Sequence, residues 1–408
     1  ALPIYSRMGP REKWKMSTKE QYWKYSLITI ILVMGVVIFF KATPFLGGLL
    51  GAATIYILLR NQMLYLIEKK HMKKSLSLLL VLALILGIFA LVGCAGDDEE
   101  NADAVSVAVI VSGTFGDLSF NDSAKTGGEA MERNLNLDVE YIECKGENYK
   151  QQLMKAAETF DVVIPVGWEF YEITEAAKEC PDTKFIWPDN VVDGVETYPN
   201  LLCITYAQNE GSFLAGYVAS KMSATGVIGA VAGDESATIA DFLVGYEQGA
   251  AYADSSVKVE TAYANTFEDE EAGKTCAKSL EAKNADIVFQ VAGRAGNGVF
   301  QAAKEDGFYA IGVDQDQKLT AKQYDDVILC SVVKEVGKSL YDVVKAYVKN
   351  DTWEGGRIWK ADMATGYITL AYGDENSAQL ISEDLKEELQ TITQKITAGE
   401  IEVETALG

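Results

Sequence analysis

The only histidine of this 408-residue chain is His71, and nothing after Cys94 supplies an imidazole. That excludes Ser–His and Cys–His catalysis from the body of the chain, together with every metal site that needs histidine. No two cysteines are spaced C-x-x-C, which excludes a zinc ribbon and a thioredoxin-type motif. The cysteines after Cys94 are Cys144, Cys180, Cys203, Cys276 and Cys330, an odd number. No disulfide framework is expected, and Cys203 and Cys330, set in apolar runs, are expected to be small core residues. Basic residues are scarce beyond the first segment. Residues 1–93 hold 12 of the 36 Lys and Arg but 3 of the 59 Asp and Glu, leaving 24 basic against 56 acidic residues. A body this acidic cannot present the basic surface that phosphates require, so nucleic-acid binding is excluded. Its plain use is solubility. GRAGNG (Gly293–Gly298) is G-x-x-G-x-G rather than G-x-G-x-x-G and lacks a G-K-[ST] ending. It supports a close backbone turn rather than a nucleotide phosphate site. No cofactor and no metal are expected.

What is present begins with membrane and targeting sequence. Tyr25–Phe40 and Phe45–Leu59 are apolar runs separated by Lys41–Pro44 and flanked by basic residues. Each falls short of the ~20 residues of a spanning helix, so a tight hairpin with both ends in the cytoplasm is expected. Met72-Lys73-Lys74 then starts afresh, Leu76–Ala90 is an apolar h-region, and LVGC ends at Cys94. That is the layout of a secretory signal, residues 72–93. The acidic stretch 94–104, containing AGDDEENADA, reads as a flexible tether.

From Val105 to Gly408 apolar runs alternate with helix-like segments. The runs are VSVAVIV, LDVEYIE, FDVVIPV, TKFIWP, NLLCITYA, TGVIGAVAG, VKVETAYA, ADIVFQVAG, FYAIGVD and DVILCSVV. Short Val- and Ile-rich strands alternating with helices mean parallel sheets covered on both faces. Ten strands predict an α/β architecture of two doubly wound lobes joined by a hinge. The chain is expected to cross near Glu210–Thr225 and to return near Cys330–Lys334. Residues 105–212 plus 334–408 then form lobe 1, and 213–333 form lobe 2.

In open parallel sheets ligands bind beyond the carboxyl ends of the strands. Those ends carry GDLSFND (Gly116–Asp122), GWEF (Gly167–Phe170), Asp189-Asn190, DESATIADF (Asp234–Phe242), RAGNG, DQDQ (Asp314–Gln317) and Lys334. A cleft between two lobes gathers such groups. Each also has a plainer reading. Ser119–Asp122 fits a capping-box variant, with Ser119 as helix cap and Asp122 reaching back. Trp168 reads equally as a surface ring and Phe242 as core. Asp314 and Asp316 form a carboxylate pair, but residues two apart after a strand face opposite ways, against a glycosidase dyad.

Two resemblances bear on these motifs. KYSLITIILVMGVVIFFKATPFLGGLLGAATIYILLRNQMLYLIEK resembles the start of the autoinducer-exporter-like membrane proteins. Residues 1–71 are therefore read as a fused or misjoined hairpin fragment. LVGC resembles the bacterial lipobox, which implies a diacylglycerol on Cys94 and an anchor on the outer face of the plasma membrane. SFND, NEGSFLAGYVA (Asn209–Ala219), DFLVGYEQGA (Asp241–Ala250), ADIVFQVAGRAGNGVFQAA (Ala285–Ala303), YAIGVDQDQ (Tyr309–Gln317) and CSVVKEV (Cys330–Val336) resemble the basic membrane protein family. These are lipoprotein substrate-binding components of ABC importers. The resemblance covers about 105–403 and implies the type I periplasmic-binding-protein fold, with permease and ATPase subunits as partners and a monomeric receptor. Its nucleoside-binding members sandwich the base between one aromatic from each lobe and hold the ribose by carboxylates and a lysine. By motif, Phe120 and Phe242 match the two aromatics, and Asn121, Gly293, Asp314 and Lys334 match further ligand contacts. Trp168 and Glu172 occupy the segment that meets the base edge, and Asp117 offers a polar contact. Two departures stand out. Leu118 replaces a common lysine, a change expected to matter little. Ser112-Gly113 replaces a strand-end aspartate, which puts the purine preference in question.

The reading is thus a receptor that binds a nucleoside, purine by preference, without chemistry. Three rivals stay open at this stage: a binding protein for a sugar or other small polar ligand, a nucleoside hydrolase, and a sensor serving a signalling partner.

Overall fold

The computed structural model describes residues 105–407 apart from Glu147. The hairpin fragment, the signal, Cys94 and the tether lie outside the described residues. Among the described residues no helix is long and apolar enough to cross a membrane. All described elements lie in one compact unit, Asp103–Gly408.

The first sheet is built from β1 (Ser106–Ser112), β2 (Asp138–Cys144), β3 (Val162–Val166), β4 (Lys184–Pro188) and β5 (Leu201–Tyr206). The second is built from β6 (Val227–Ala232), β7 (Lys258–Tyr263), β8 (Ile287–Val291), β9 (Tyr309–Asp314) and β10 (Ile328–Lys334). These ten strands coincide with the ten apolar runs of the sequence. Two more were not read there, β11 (Arg357–Ala361) and β12 (Ile368–Ala371). The sheet orders are β11-β5-β4-β3-β1-β2 and β12-β10-β9-β8-β6-β7. Each strand of one sheet therefore has a counterpart at the same place in the other. Interior strands such as SVAVIVS and VVIPV are buried almost end to end, as a sheet covered on both faces requires. β2 and β7 lie at sheet edges and expose part of their residues. β12 runs antiparallel to β10, whereas the other pairings are parallel.

The crossings differ from the sequence division in two ways. The chain leaves the first sheet at Tyr206, and the helix Gln208–Met222 already packs on second-lobe strands. Crossing thus precedes that helix rather than falling within it. After Lys334 the chain returns, and the helix Val336–Asn350 packs on the helix Phe120–Leu135 of the first lobe. It then crosses a third time between β11 and β12. The C-terminal part, placed with lobe 1 from the sequence, therefore ends on lobe 2, where Asn209 donates to the Glu404 carbonyl at 2.9 Å.

The helix that follows the first crossing needs glycine to pack. Cβ atoms added at Gly216 and Gly249 would lie 2.0 Å from the Tyr246 carbonyl oxygen and 1.9 Å from that of Phe213. Only missing side chains let the helices Gln208–Met222 and Ala237–Ala253 approach so closely. That contact fixes the second of these helices, which carries Phe242. Cys203 and Cys330 are both fully buried, as expected of core residues, and the five described cysteines are free thiols.

Candidate functional site

Lys334, the last residue of β10, is 2 % exposed. A buried ammonium is tolerable only with charged or π partners around it. It has both. Its Nζ donates to Asp189 and lies 3.6 Å from Asp314 Oδ1. The ring centres of Phe120, Tyr206 and Phe242 stand 4.7, 5.5 and 5.2 Å away. Phe120, Tyr206 and Asp189 come from the first lobe, and Phe242, Asp314 and Lys334 from the second. Burial alone would lower the lysine's pKa, but the two carboxylates outweigh it and the net shift is upward, so the group stays charged.

Asp189 and Asp314 follow from one geometry. β4 and β9 hold equivalent places in the two sheets, and both aspartates leave their strands in the left-handed region, at φ 63° and 64°. Aspartate tolerates that region better than most residues. Asp314 Oδ2 accepts from Ser119 Oγ at 2.5 Å, while its buried Oδ1 has no hydrogen-bond partner. Burial raises the Asp314 pKa, opposed by Lys334 and by Ser119.

The loop before Phe120 is built differently from the capping-box expectation. Ser119 stands at the N-cap but its side chain makes no cap bond; it crosses to Asp314 instead. The cap is Asp117. Its Oδ1 accepts from the backbone N–H of Ser119 and Asp122, each at 3.0 Å, and its Oδ2 from that of Asn121 at 2.9 Å. Asp122 reaches back further than expected, to the N–H of Gly116 at 2.7 Å and of Leu118 at 2.9 Å. Asn121 Nδ2 donates to the Thr114 carbonyl at 3.1 Å. Asp117 and Asn121, named from the sequence as ligand contacts, therefore spend these groups on shaping the loop that presents Phe120.

The third candidate segment also changes. Trp168 is 60 % exposed and Glu172 takes the N-cap place of the helix Ile173–Glu179; neither is brought to the Lys334 cluster. The inward carboxylate there is Glu169, whose Oε2 is buried without a partner. It and Ser112 Oγ both crowd the Cα of Gly167, within 2.6 and 2.1 Å of where a Cβ would be. Gly293 adopts φ 55° at the start of a 3-10 turn, so backbone conformation explains the glycine. A depression of about 330 Å3 near Lys221, Leu380 and Glu388 lies at the far end of the helix Gln208–Met222, away from these strand termini.

Sequence reasoning missed Asp189 as a partner of Lys334, and it missed Tyr206. Asp189 carried a positional signal, directly after an apolar run. Tyr206 carried none, because it closes a run that reads as core.

Asp117 offers a pH test of the loop. Burial pushes its pKa up to about 6, against three backbone N–H groups that lower it. A carboxyl raised in the folded state adds stability below its unfolded pKa and loses it as pH rises through the folded value. Urea unfolding between pH 4 and 7 is expected to show that Asp117→Asn removes this downward slope. Identical slopes in parent and variant would show that the group does not titrate there.

Comparison with known proteins agrees with the motifs. The family model described as ABC transporter substrate-binding protein PnrA-like matches residues 104–406. Basic membrane protein A of Borreliella burgdorferi is 32% identical over 327 residues, covering 79% of this chain and 94% of that protein. Basic membrane protein B of Borrelia garinii subsp. bavariensis is 34% identical over 306 residues, covering 71% and 88%. Among solved structures, an ABC transporter solute-binding protein from Aeropyrum pernix superposes with a TM-score of 0.67 at 25% identity, over 74% of this chain and 94% of that one. One from Conexibacter woesei gives 0.61 at 22% identity, over 75% and 100%, a likeness of fold. The resemblance to the basic membrane protein family and the two-lobed fold class are both borne out.

Proposed function

The chain belongs to the Bmp family of ABC transporter substrate-binding proteins, and from that premise we propose that it is a lipid-anchored receptor that binds a nucleoside between its lobes. The observation that carries the ligand class is the pair Phe120 and Phe242, one ring from each lobe, whose centres lie 4.7 and 5.2 Å from the same Lys334 Nζ. Two rings suit a flat base, since stacking contributes about 1–3 kcal/mol per base. Beside them, the unpartnered Asp314 Oδ1 suits a ribose hydroxyl, a donor that a buried carboxylate needs. Glu169 Oε2, also unpartnered, suits a base edge that donates N–H, as hypoxanthine and guanine do. It offers a carboxylate close to Ser112, where the strand-end aspartate is missing.

Charge narrows the class. Two aspartates, Asp189 and Asp314, face the one lysine of the cluster, and the body is acidic throughout. A phosphate brought beside them meets repulsion, so nucleosides rather than nucleotides fit. Nothing in the cluster calls for bond-breaking, and the ligand is released unchanged to permease and ATPase subunits. Cys94 carries the lipid that holds the receptor at the outer face of the membrane.

Calorimetry of the purified chain with inosine, guanosine, adenosine, inosine monophosphate, ribose and galactose tests this. Binding of inosine or guanosine is expected, with the monophosphate and both sugars inert and no free base formed. Binding of a sugar alone, or release of free base, overturns the reading. Mass spectrometry of membrane-extracted protein tests the anchor, which requires a lipidated N-terminal Cys94.

A further inference from the structure

The loop 113–119, between β1 and the helix Phe120–Leu135, is gripped from the second lobe outside the Lys334 cluster. Arg294 Nη2 donates to the Phe115 carbonyl and to Thr114 Oγ1, each at 2.9 Å. Gln317 Nε2 donates to the Leu118 carbonyl at 2.9 Å, and Gln315 Nε2 to the Ser119 carbonyl at 3.0 Å. Asn297 Nδ2 adds a longer contact to the Asp117 carbonyl at 3.4 Å. Four carbonyls of one first-lobe loop are thus met by side chains from the ends of β8 and β9.

These donors are held ready. Gln317 is fully buried, and its Oε1 accepts from Gln290 Nε2 at 2.7 Å and from the Val313 N–H at 2.8 Å. With the oxygen so committed, its amide nitrogen must point outward, at Leu118. Glu268, 3.3 Å from Arg294 Nε, steadies the guanidinium. Leu118 is shaped to be caught. It sits at φ 57°, a region costly for a branched side chain and kept only where surroundings enforce it. Its N–H is fixed by Asp122 in its own lobe and its carbonyl by Gln317 in the other. Its side chain packs against the apolar cluster of the second lobe that includes Ala292, Ala295 and Val299. A first-lobe residue thus lays its side chain against the second lobe's core. The expectation that leucine at this position matters little is corrected by that contact.

We propose that Leu118 is the tooth, and Arg294, Gln315 and Gln317 the catch, of a latch that sets the balance between open and closed lobes and hence how long the ligand is held. This rests on the reading that the cleft between the lobes binds the ligand. None of the four residues belongs to the Lys334 cluster; they are positioning residues. Because Ser119 and Phe120 follow Leu118 directly, seating the tooth also seats the ring.

The test uses the purified full chain in detergent, with Leu118→Ala, Arg294→Ala and Arg294→Lys. Stopped-flow fluorescence reads inosine association and release, and small-angle neutron scattering in contrast-matched detergent reads lobe separation without ligand. Both alanine variants are expected to release inosine at least tenfold faster, with association within twofold of the parent. Both are expected to show a larger radius of gyration without ligand. Arg294→Lys, which keeps the charge but loses the fork, falls between. Unchanged release and unchanged radius in both alanine variants overturn the latch. So does a variant that only melts earlier. If the parent binds neither inosine nor guanosine, the nucleoside reading fails, and the scattering comparison alone decides the latch; if it binds only guanosine, the same kinetics are read with guanosine.

Discussion

Replacing Lys334 with methionine is expected to lower stability by about 3–5 kcal/mol, read from urea unfolding at pH 7. The ammonium is 2 % exposed and is the cation between Asp189 and Asp314. Without it, two carboxylates at the centre of the molecule lose their counter-charge. The loss should depend on pH with a definite sign. Burial already raises the Asp314 pKa while Lys334 holds it down, so removing the lysine raises it further. Stability tied to a raised carboxyl pKa is present at low pH and disappears as pH climbs through the folded value. The deficit of Lys334→Met should therefore shrink as pH falls from 7 toward 4. Adding Asp189→Asn and Asp314→Asn to the methionine variant should recover most of the stability, since a neutral cluster has no charge left unpaired. A deficit independent of pH, or a triple variant as unstable as the single one, rules out charge as the cause.

Phe120→Ala is expected to weaken nucleoside binding by about 1–3 kcal/mol, roughly 5- to 150-fold in Kd, with unfolding little changed. The ring is only partly buried and stands over Lys334 at 4.7 Å, so few core contacts go with it. Phe242→Ala is the contrasting case. That ring is 2 % exposed and packs edge-on against Phe289 at 6.3 Å. Its loss should cost about 3–5 kcal/mol of stability as well as affinity. Calorimetry beside thermal unfolding separates the two. If Phe120→Ala binds inosine as tightly as the parent, the ring is not a stacking face.

Most of the first ten strands were legible as short, nearly unbroken apolar runs, the signature of burial on both faces, and the partly exposed edge strands β2 and β7 as Val- and Tyr-bearing runs between helix-like segments. β11 and β12 escaped because their residues are largely half-exposed or exposed, as in RIWKA, and because their pairing partners are remote in sequence. The third crossing escaped with them. At the site, Phe120, Phe242, Asp314 and Lys334 were legible as residues at strand ends or in the helices that follow, and the structure gathers them. Asp117 and Ser119 exchanged roles against expectation: the carboxylate caps and the hydroxyl crosses the cleft. Sequence spacing allows either residue to cap. What decides is that Asp314 faces Ser119 from the other lobe, a proximity no local pattern encodes.

The two sheets repeat one strand order, and the repeat reaches their termini. Asp189 and Asp314 are counterparts, and so are the last residues of β5 and β10, Tyr206 and Lys334. A faithful copy would place two lysines, or two tyrosines, at the centre. Two lysines would repel each other, and two tyrosines would leave both aspartates without a cation. One divergence between the copies resolves both problems and has a further effect. It also makes the two lobes contribute unlike groups where they meet, an inequality that adds to the parallel β11 and antiparallel β12 at the sheet edges. From a doubled scaffold, one tyrosine–lysine mismatch gives the cluster a neutral side and a charged side.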